Sequence, residues 1–340
     1  MATIYDVARK ANVSAAAVSL VLNNLSTSRV GAVKKKQILA AATALDYSPS
    51  GAAKALSIGK TRIVGLVVPM RDPIFFNHFI AEVLSGIQEC LVEREYHLMI
   101  YSHYSAKGRI TQSELAHGRF IDGLIVLNTR MCSQHDISST ISDLRSSGIP
   151  FVMMNCYAGD DQINYVGVDD KAIGRLGAKY LLSKGHQRIA MLAGAAKSPM
   201  TNRLLEGVKE AFKEAKLKFN SKRDFIASEY DSDKVRSSTQ SWLRKPSPPT
   251  AIFCADDQLV PDVYAAVRAE KKQIPKDIAI LGRGNLGVIA NLVPPVTTVN
   301  VSALQMGRQA AELLLNHLRD RSSLPTRITI PGELIERKSV

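Results

Sequence analysis

A chain of 340 residues with 46% hydrophobic and 22% charged side chains is too long for one small core and has an ordinary globular composition. Its four cysteines, Cys90, Cys132, Cys156 and Cys254, form no C-x-x-C pair and find no histidine at ligand spacing, which argues against a disulfide scaffold and a zinc site. No apolar run reaches membrane-spanning length, and Met-Ala-Thr-Ile-Tyr-Asp lacks the basic start and apolar core of a secretory leader, so a cytoplasmic protein with no metal and no cofactor is expected.

The formal net charge of +13 is unevenly spread. Residues 1–60 carry Arg9, Lys10, Arg29, Lys34, Lys35, Lys36, Lys54 and Lys60 against Asp6 and Asp46, a net of +6 in under a fifth of the chain. Such a density suits a phosphate backbone. Within it, Ile4, Val7, Ala8 and Ala11 fall at i, i+3, i+4 and i+7, the apolar stripe of one helix, and Val18, Val21 and Leu22 repeat the stripe in a second. Asn12 stands at the turn, where asparagine tolerates a left-handed backbone, and Ser14 is placed to cap the second helix. The pattern predicts a helix-turn-helix, followed by a third helix opening at Lys34-Lys35-Lys36.

From residue 62 onward short apolar runs alternate with longer helical stretches. Strands are predicted at 63–68, 97–101, 123–127, 151–154, 188–193, 251–255 and 278–281, and helices at 79–93, 172–182, 204–215 and 259–270. Strict alternation implies parallel sheets with helices on both faces, and ligands beyond the carboxyl ends of the strands. Gly282-Arg283-Gly284-Asn285-Leu286-Gly287 has the G-x-G-x-x-G spacing of a dinucleotide turn. Pro294 and Pro295 arrive where a helix should run, and no acidic residue follows at about twenty residues to hold a ribose. The glycines are therefore expected to shape a cleft loop.

Several motifs in fixed order carry a family resemblance: Thr3 to Asn23, Leu45-Asp46-Tyr47-Ser48-Pro49 with Ala53 and Leu56, Ile63 to Pro69, Tyr165-Val166-Gly167-Val168-Asp169, Lys184-Gly185-His186-Gln187-Arg188-Ile189, Thr250 to Ala255 and Pro294-Pro295-Val296-Thr297-Thr298-Val299. Along its whole length the chain resembles transcription regulators of the lactose and galactose repressor (LacI) family. The resemblance implies an all-α helix-turn-helix head over residues 1–48, a hinge helix and linker over 49–61, and an α/β two-lobe core like the periplasmic sugar-binding proteins over 62–340. It places one lobe at about 62–162 plus 292–321 and the other at about 163–291 plus 322–340, with the effector in the cleft between them.

The resemblance also implies site residues, and here the chain departs from the family. Positions that read base edges in the family hold Ala15, Ala16 and Leu20, which have no hydrogen-bonding side chain. Readout there must rest on methyl contacts, backbone and DNA shape. Ser14, Ser19 and Asn23 are the remaining polar candidates, mostly toward phosphate; Tyr5 would orient the first helix, and Lys34 and Lys35 would hold phosphates. In the hinge, Leu56 would wedge into the minor groove with Ala53 packed on its dimer mate. Gly51 makes that helix weak, costing about 1 kcal/mol relative to alanine.

For the effector, Asn128, Asp169 and Asp256 occupy positions from which the family contacts ligand. Arg203 stands one place from the family's arginine, and Phe75, with Ile74 and Phe76, would form an apolar wall or pack in the core. Arg283, Gly284 and Asn285 replace the family's aromatic and two acids. That substitution implies an anionic ligand or a sugar held differently; the alternative is Arg283 facing solvent or paired with a neighbouring acid. The expected partners are pseudopalindromic operator DNA, a small-molecule effector of sugar type and a second copy of the chain, a dimer being favoured because no leucine heptad trails Val340. A transport-type sugar-binding protein would lack the basic head, and an NAD-dependent oxidoreductase would need a complete phosphate fingerprint. No spacing suggests a catalytic triad or carboxylate pair.

Overall fold

The computed structural model describes residues 2–23, 30–48, 59–68, 77–102, 120–128, 134–155 and 162–340. Three helices form the head: α1 (Ile4–Ala11), α2 (Ala15–Leu22) and α3 (Ala32–Ala44). Val7, Val18 and Ile38, one from each helix, are wholly buried and make its core with Ala11, Val21 and Ala41. A capping box starts α1. Thr3 Oγ1 accepts from the Asp6 amide while the Asp6 carboxylate accepts from the Thr3 amide at 2.9 Å. Asn12 ends it at φ 51°, and Ser14 Oγ accepts from the Ala17 amide at 3.2 Å to start α2, as predicted. The Thr3 and Asp6 box is a signal the sequence reading passed over.

The core then runs β1 (Ile63–Val68), α4 (His78–Glu93), β2 (His97–Ser102), β3 (Gly123–Leu127), α5 (Gln134–Ser147), β4 (Phe151–Met154) and β5 (Asn164–Val168). It continues with α6 (Asp170–Ser183), β6 (Ile189–Ala193), α7 (Pro199–Glu214), α8 (Ser221–Asp224), β7 (Phe225–Ala227), α9 (Ser232–Leu243) and β8 (Ala251–Cys254). After a 3-10 turn at Asp257–Leu259 come α10 (Val260–Ala269), β9 (Ala279–Gly284), α11 (Gly287–Ala290), β10 (Thr297–Asn300), α12 (Ala303–Arg319), β11 (Arg327–Ile330) and β12 (Glu333–Ile335). Strands such as β1, β3, β6 and β8 are uniformly apolar because both faces are covered. No helix among the described residues is long and apolar enough to cross a membrane.

Two six-stranded sheets result, ordered β11-β5-β4-β3-β1-β2 and β12-β10-β9-β8-β6-β7. Every pairing is parallel except β10 with β12. The three passages between lobes fall later than the resemblance implied. Residues 164–168 form β5 in the first sheet, so the first passage is at Asp169 and not at 162. Residues 297–300 form β10 in the second sheet, so the next is at Val301 and Ser302 and not at 291. Residues 327–330 return to the first sheet as β11, which puts the last at Pro331 and Gly332 and not at 321.

Each lobe covers its sheet with a helix pair in backbone contact. A Cβ on Gly86 of α4 would lie 1.9 Å from the Leu304 carbonyl oxygen of α12. A Cβ on Gly207 of α7 would lie 1.9 Å from that of Lys171 in α6. Residues 333–340 close the second lobe. The buried Ser339 hydroxyl donates to the Ile280 carbonyl at 2.6 Å and accepts from the Thr297 amide at 2.8 Å, and Arg337 Nη2 donates to Asn285 Oδ1 at 2.7 Å.

Candidate functional site

The strands of both sheets run toward the same cleft, and the residues just past their carboxyl ends line it. Asn128 follows β3, Asn155 follows β4, Val168 ends β5, Asp256 and Gln258 follow β8, and Arg283 and Gly284 end β9. Asn77, Phe79, Ile80 and Glu82 come from the start of α4, Met200 from the start of α7, and Val301 from the second passage. The cleft encloses about 790 Å³ of space open to solvent. Its floor includes Val168 and Val301, which border two of the three passages, so an occupant touches the lobes and what joins them.

The polar groups are set by local hydrogen bonds. Asn128 is buried and its Nδ2 donates to the Met154 carbonyl at 3.2 Å. Asp256 accepts from the Tyr230 hydroxyl at 3.2 Å and the Gln258 amide at 3.0 Å, which aims its carboxylate. Asn155 sits at φ 51° with its Oδ1 buried and without a hydrogen-bond partner among the described residues; Ser198 Oγ and Thr201 Oγ1, beside Met200, are in the same condition. Burial raises the Glu82 carboxyl above its ordinary value, opposed by His78 at 3.3 Å.

Arg283 does reach the cleft, with a partner. Its Nη2 donates to Asp170 Oδ1 at 2.5 Å, and the two side chains are 11% and 0% exposed. The acid that holds it is the first residue of α6, one place from the predicted Asp169. Asp169 itself is exposed and caps that helix, accepting from the Lys171 and Ala172 amides at 3.1 Å. Arg203 is exposed on α7 and does not line the cleft, since the buried side of that helix carries Leu204. Phe75, with Ile74 and Phe76, lies outside the described residues.

The glycine loop is occupied by the protein itself. Asp257, buried below it, accepts from the Asn285 amide at 2.6 Å, the Leu286 amide at 3.1 Å and the Thr298 hydroxyl at 3.1 Å. Burial pushes its carboxyl up to about 6, against the pull of those donors. A Cβ on Gly282 would lie 1.9 Å from Asp257 Oδ1, which is why glycine stands there. The amides that a dinucleotide pyrophosphate would need are turned to this carboxylate, and α11 runs only four residues.

Asn77, Glu82, Asn155 and Gln258 were missed by sequence reasoning. Asn155 follows the rule that found Asn128, the first polar residue beyond a buried strand. Asn77 carries the cap signal, its Oδ1 accepting from the Ile80 amide at 3.3 Å.

In the head, Tyr5 is 70% exposed. Ser14 and Ala16 are exposed, whereas Ala15, Ser19, Leu20 and Asn23 are half-buried. Asn23 Nδ2 donates to Ser19 Oγ at 3.1 Å. Lys34 is exposed, its Nζ 3.5 Å from the Asn12 carbonyl at the end of α1, and Lys35 is half-buried beside it. Ala53 and Leu56 lie outside the described residues.

Comparison with known proteins agrees with this architecture. Residues 3–50 match the family described as bacterial regulatory proteins, lacI family, and residues 178–340 match the periplasmic binding protein-like domain. The HTH-type transcriptional repressor PurR of Haemophilus influenzae is 30% identical over 348 residues, covering 100% of this chain and 99% of that protein. The ribose operon repressor of Haemophilus influenzae is 28% identical over 342 residues, with the same two coverages. Among solved structures, the lac repressor dimer bound to operator and the anti-inducer ONPF superposes with a TM-score of 0.83 at 21% identity, covering 99% of this chain and 98% of that one.

Proposed function

Because the chain belongs to the lacI family of bacterial regulatory proteins, we infer that it is a homodimeric repressor of transcription whose hold on operator DNA is set by an uncharged, hydroxyl-rich molecule of sugar type in the inter-lobe cleft. The helix-turn-helix would dock in the major groove. The relatives named as repressors, one of them of a ribose operon, support the regulator reading.

The observation that carries the ligand class is the Arg283–Asp170 pair. A guanidinium already matched by a fully buried carboxylate offers an anion little net attraction. The other charged side chains described on the lining, Glu82 and Asp256, are acidic. Carboxylates that accept and side-chain amides that both accept and donate suit hydroxyl groups. The anionic ligand implied by Arg283 in sequence is therefore set aside.

Thermal shift with matched neutral sugars, sugar phosphates and sugar acids tests the reading. A ligand at a hundred times its Kd stabilises by about 2.7 kcal/mol. A neutral sugar is expected to raise Tm and its phosphate not to; stabilisation by the phosphates or acids alone overturns the assignment.

A further inference from the structure

Resting on the DNA-binding reading, the structure limits what α2 can read. Seven of its eight side chains in Ala15–Leu22 are apolar, the exception being Ser19. Val18 and Val21, at 0% and 3% exposure, lock the rotation of the helix against the head. With about 100° per residue, the face opposite that seam centres on Ala16, with Leu20 and Ser19 about equally far to either side. Two contacts engage the flanking polar groups locally, while Asn23 Oδ1 is buried without a hydrogen-bond partner among the described residues. Ser19 Oγ accepts from Asn23 Nδ2, and Ser14 Oγ accepts from the Ala17 amide. The basic side chains Arg9, Lys10, Lys34 and Lys36 lie exposed on the same small head, a charge match for duplex DNA as its occupant.

In the major groove, guanine offers two acceptors, cytosine a donor and adenine one of each, while thymine adds a C5-methyl group. A methyl-surfaced helix pressed against the first three would desolvate base-edge atoms without replacing their hydrogen bonds. Only the methyl group matches it. We propose that α2 reads its operator through the C5-methyl of pyrimidines, with Ala16 and Leu20 as the specificity-determining residues. The same surface then accepts 5-methylcytosine where it accepts thymine, so cytosine methylation in an operator changes affinity.

The test uses the full-length protein and its best site selected from random duplexes. That site is remade with uracil at single thymines, which removes the methyl alone. Uracil at one or two positions per half-site is expected to weaken binding about five-fold or more. At those positions 5-methylcytosine paired with guanine should bind better than unmethylated cytosine. Leu20→Ala, and separately Ala16→Gly, should erase the thymine-to-uracil difference at one position each. Equal affinity for uracil and thymine across both half-sites overturns the proposal while leaving the regulator reading intact. Selection that returns no preferred sequence overturns both.

Discussion

Asp170 and Asp169 are neighbours with opposite fates, and the difference controls the cleft. One caps α6 in solvent; the other is fully buried against Arg283. Removing a partner from a buried pair leaves a charge without compensation, at a cost of about 3–5 kcal/mol. Asp170→Asn is therefore expected to lower Tm and to make the cleft more positive. The surviving protein should bind a sugar phosphate or sugar acid more tightly than wild type does, measured by calorimetry. Unchanged discrimination between neutral and anionic ligands would show that the pair has no part in selectivity. In sequence this pairing stood only as an alternative, with no acid named. Arg283 invited an anionic ligand because its acid lies 113 residues earlier in the chain, and local pattern cannot join the two.

Helices were the most readable elements where one side faces solvent, as in the head, whose stripes, turn and cap all follow from Ile4 to Leu22. Seven of the twelve described strands were readable from their apolar runs, whereas β5, β7, β10, β11 and β12 were not, and none was readable by sheet, because a buried parallel strand is equally apolar in either lobe. Hence β5, β10 and β11 fall on the other side of the implied boundaries. The two lobes share one device, a helix pair touching through glycine, and each copy depends on the missing side chain. Gly86→Ala forces a methyl into the Leu304 carbonyl of α12. Overpacking of this kind costs about 1–3 kcal/mol, so a lower urea midpoint with an unchanged slope is expected. A midpoint equal to wild type would mean that the pair separates freely.

On the proposed function, ligand binding would reach DNA binding through the passages between lobes. An occupant of the cleft would lie against Val168 and Val301, which border two of the passages between lobes. Thermodynamic linkage requires that the factor by which a ligand alters operator affinity equal the factor by which operator alters ligand affinity. Titrating the effective sugar with and without saturating operator duplex checks this equality. A ligand that shifts operator affinity without the reciprocal change would place its action outside equilibrium coupling. A ligand beyond the strand ends was legible from the alternation of elements, and the cleft with Asn128, Asp256 and Arg283 from the resemblance; Asn77, Glu82 and Gln258 were not legible, because they come from helix starts and turns.

The closure of the second lobe by residues 333–340 orders events in time. The ribosome makes these residues after every strand they clasp, among them Ile280 in β9 and Thr297 in β10. Until they arrive, the edge beside β10 lacks β12, and the Asn285 loop at the cleft lacks Arg337. The head is made of residues synthesised hundreds of positions sooner, and its core is built from its own three helices. A half-made chain thus has the three helices of its head while the second lobe still lacks the strand and the clasp that close it.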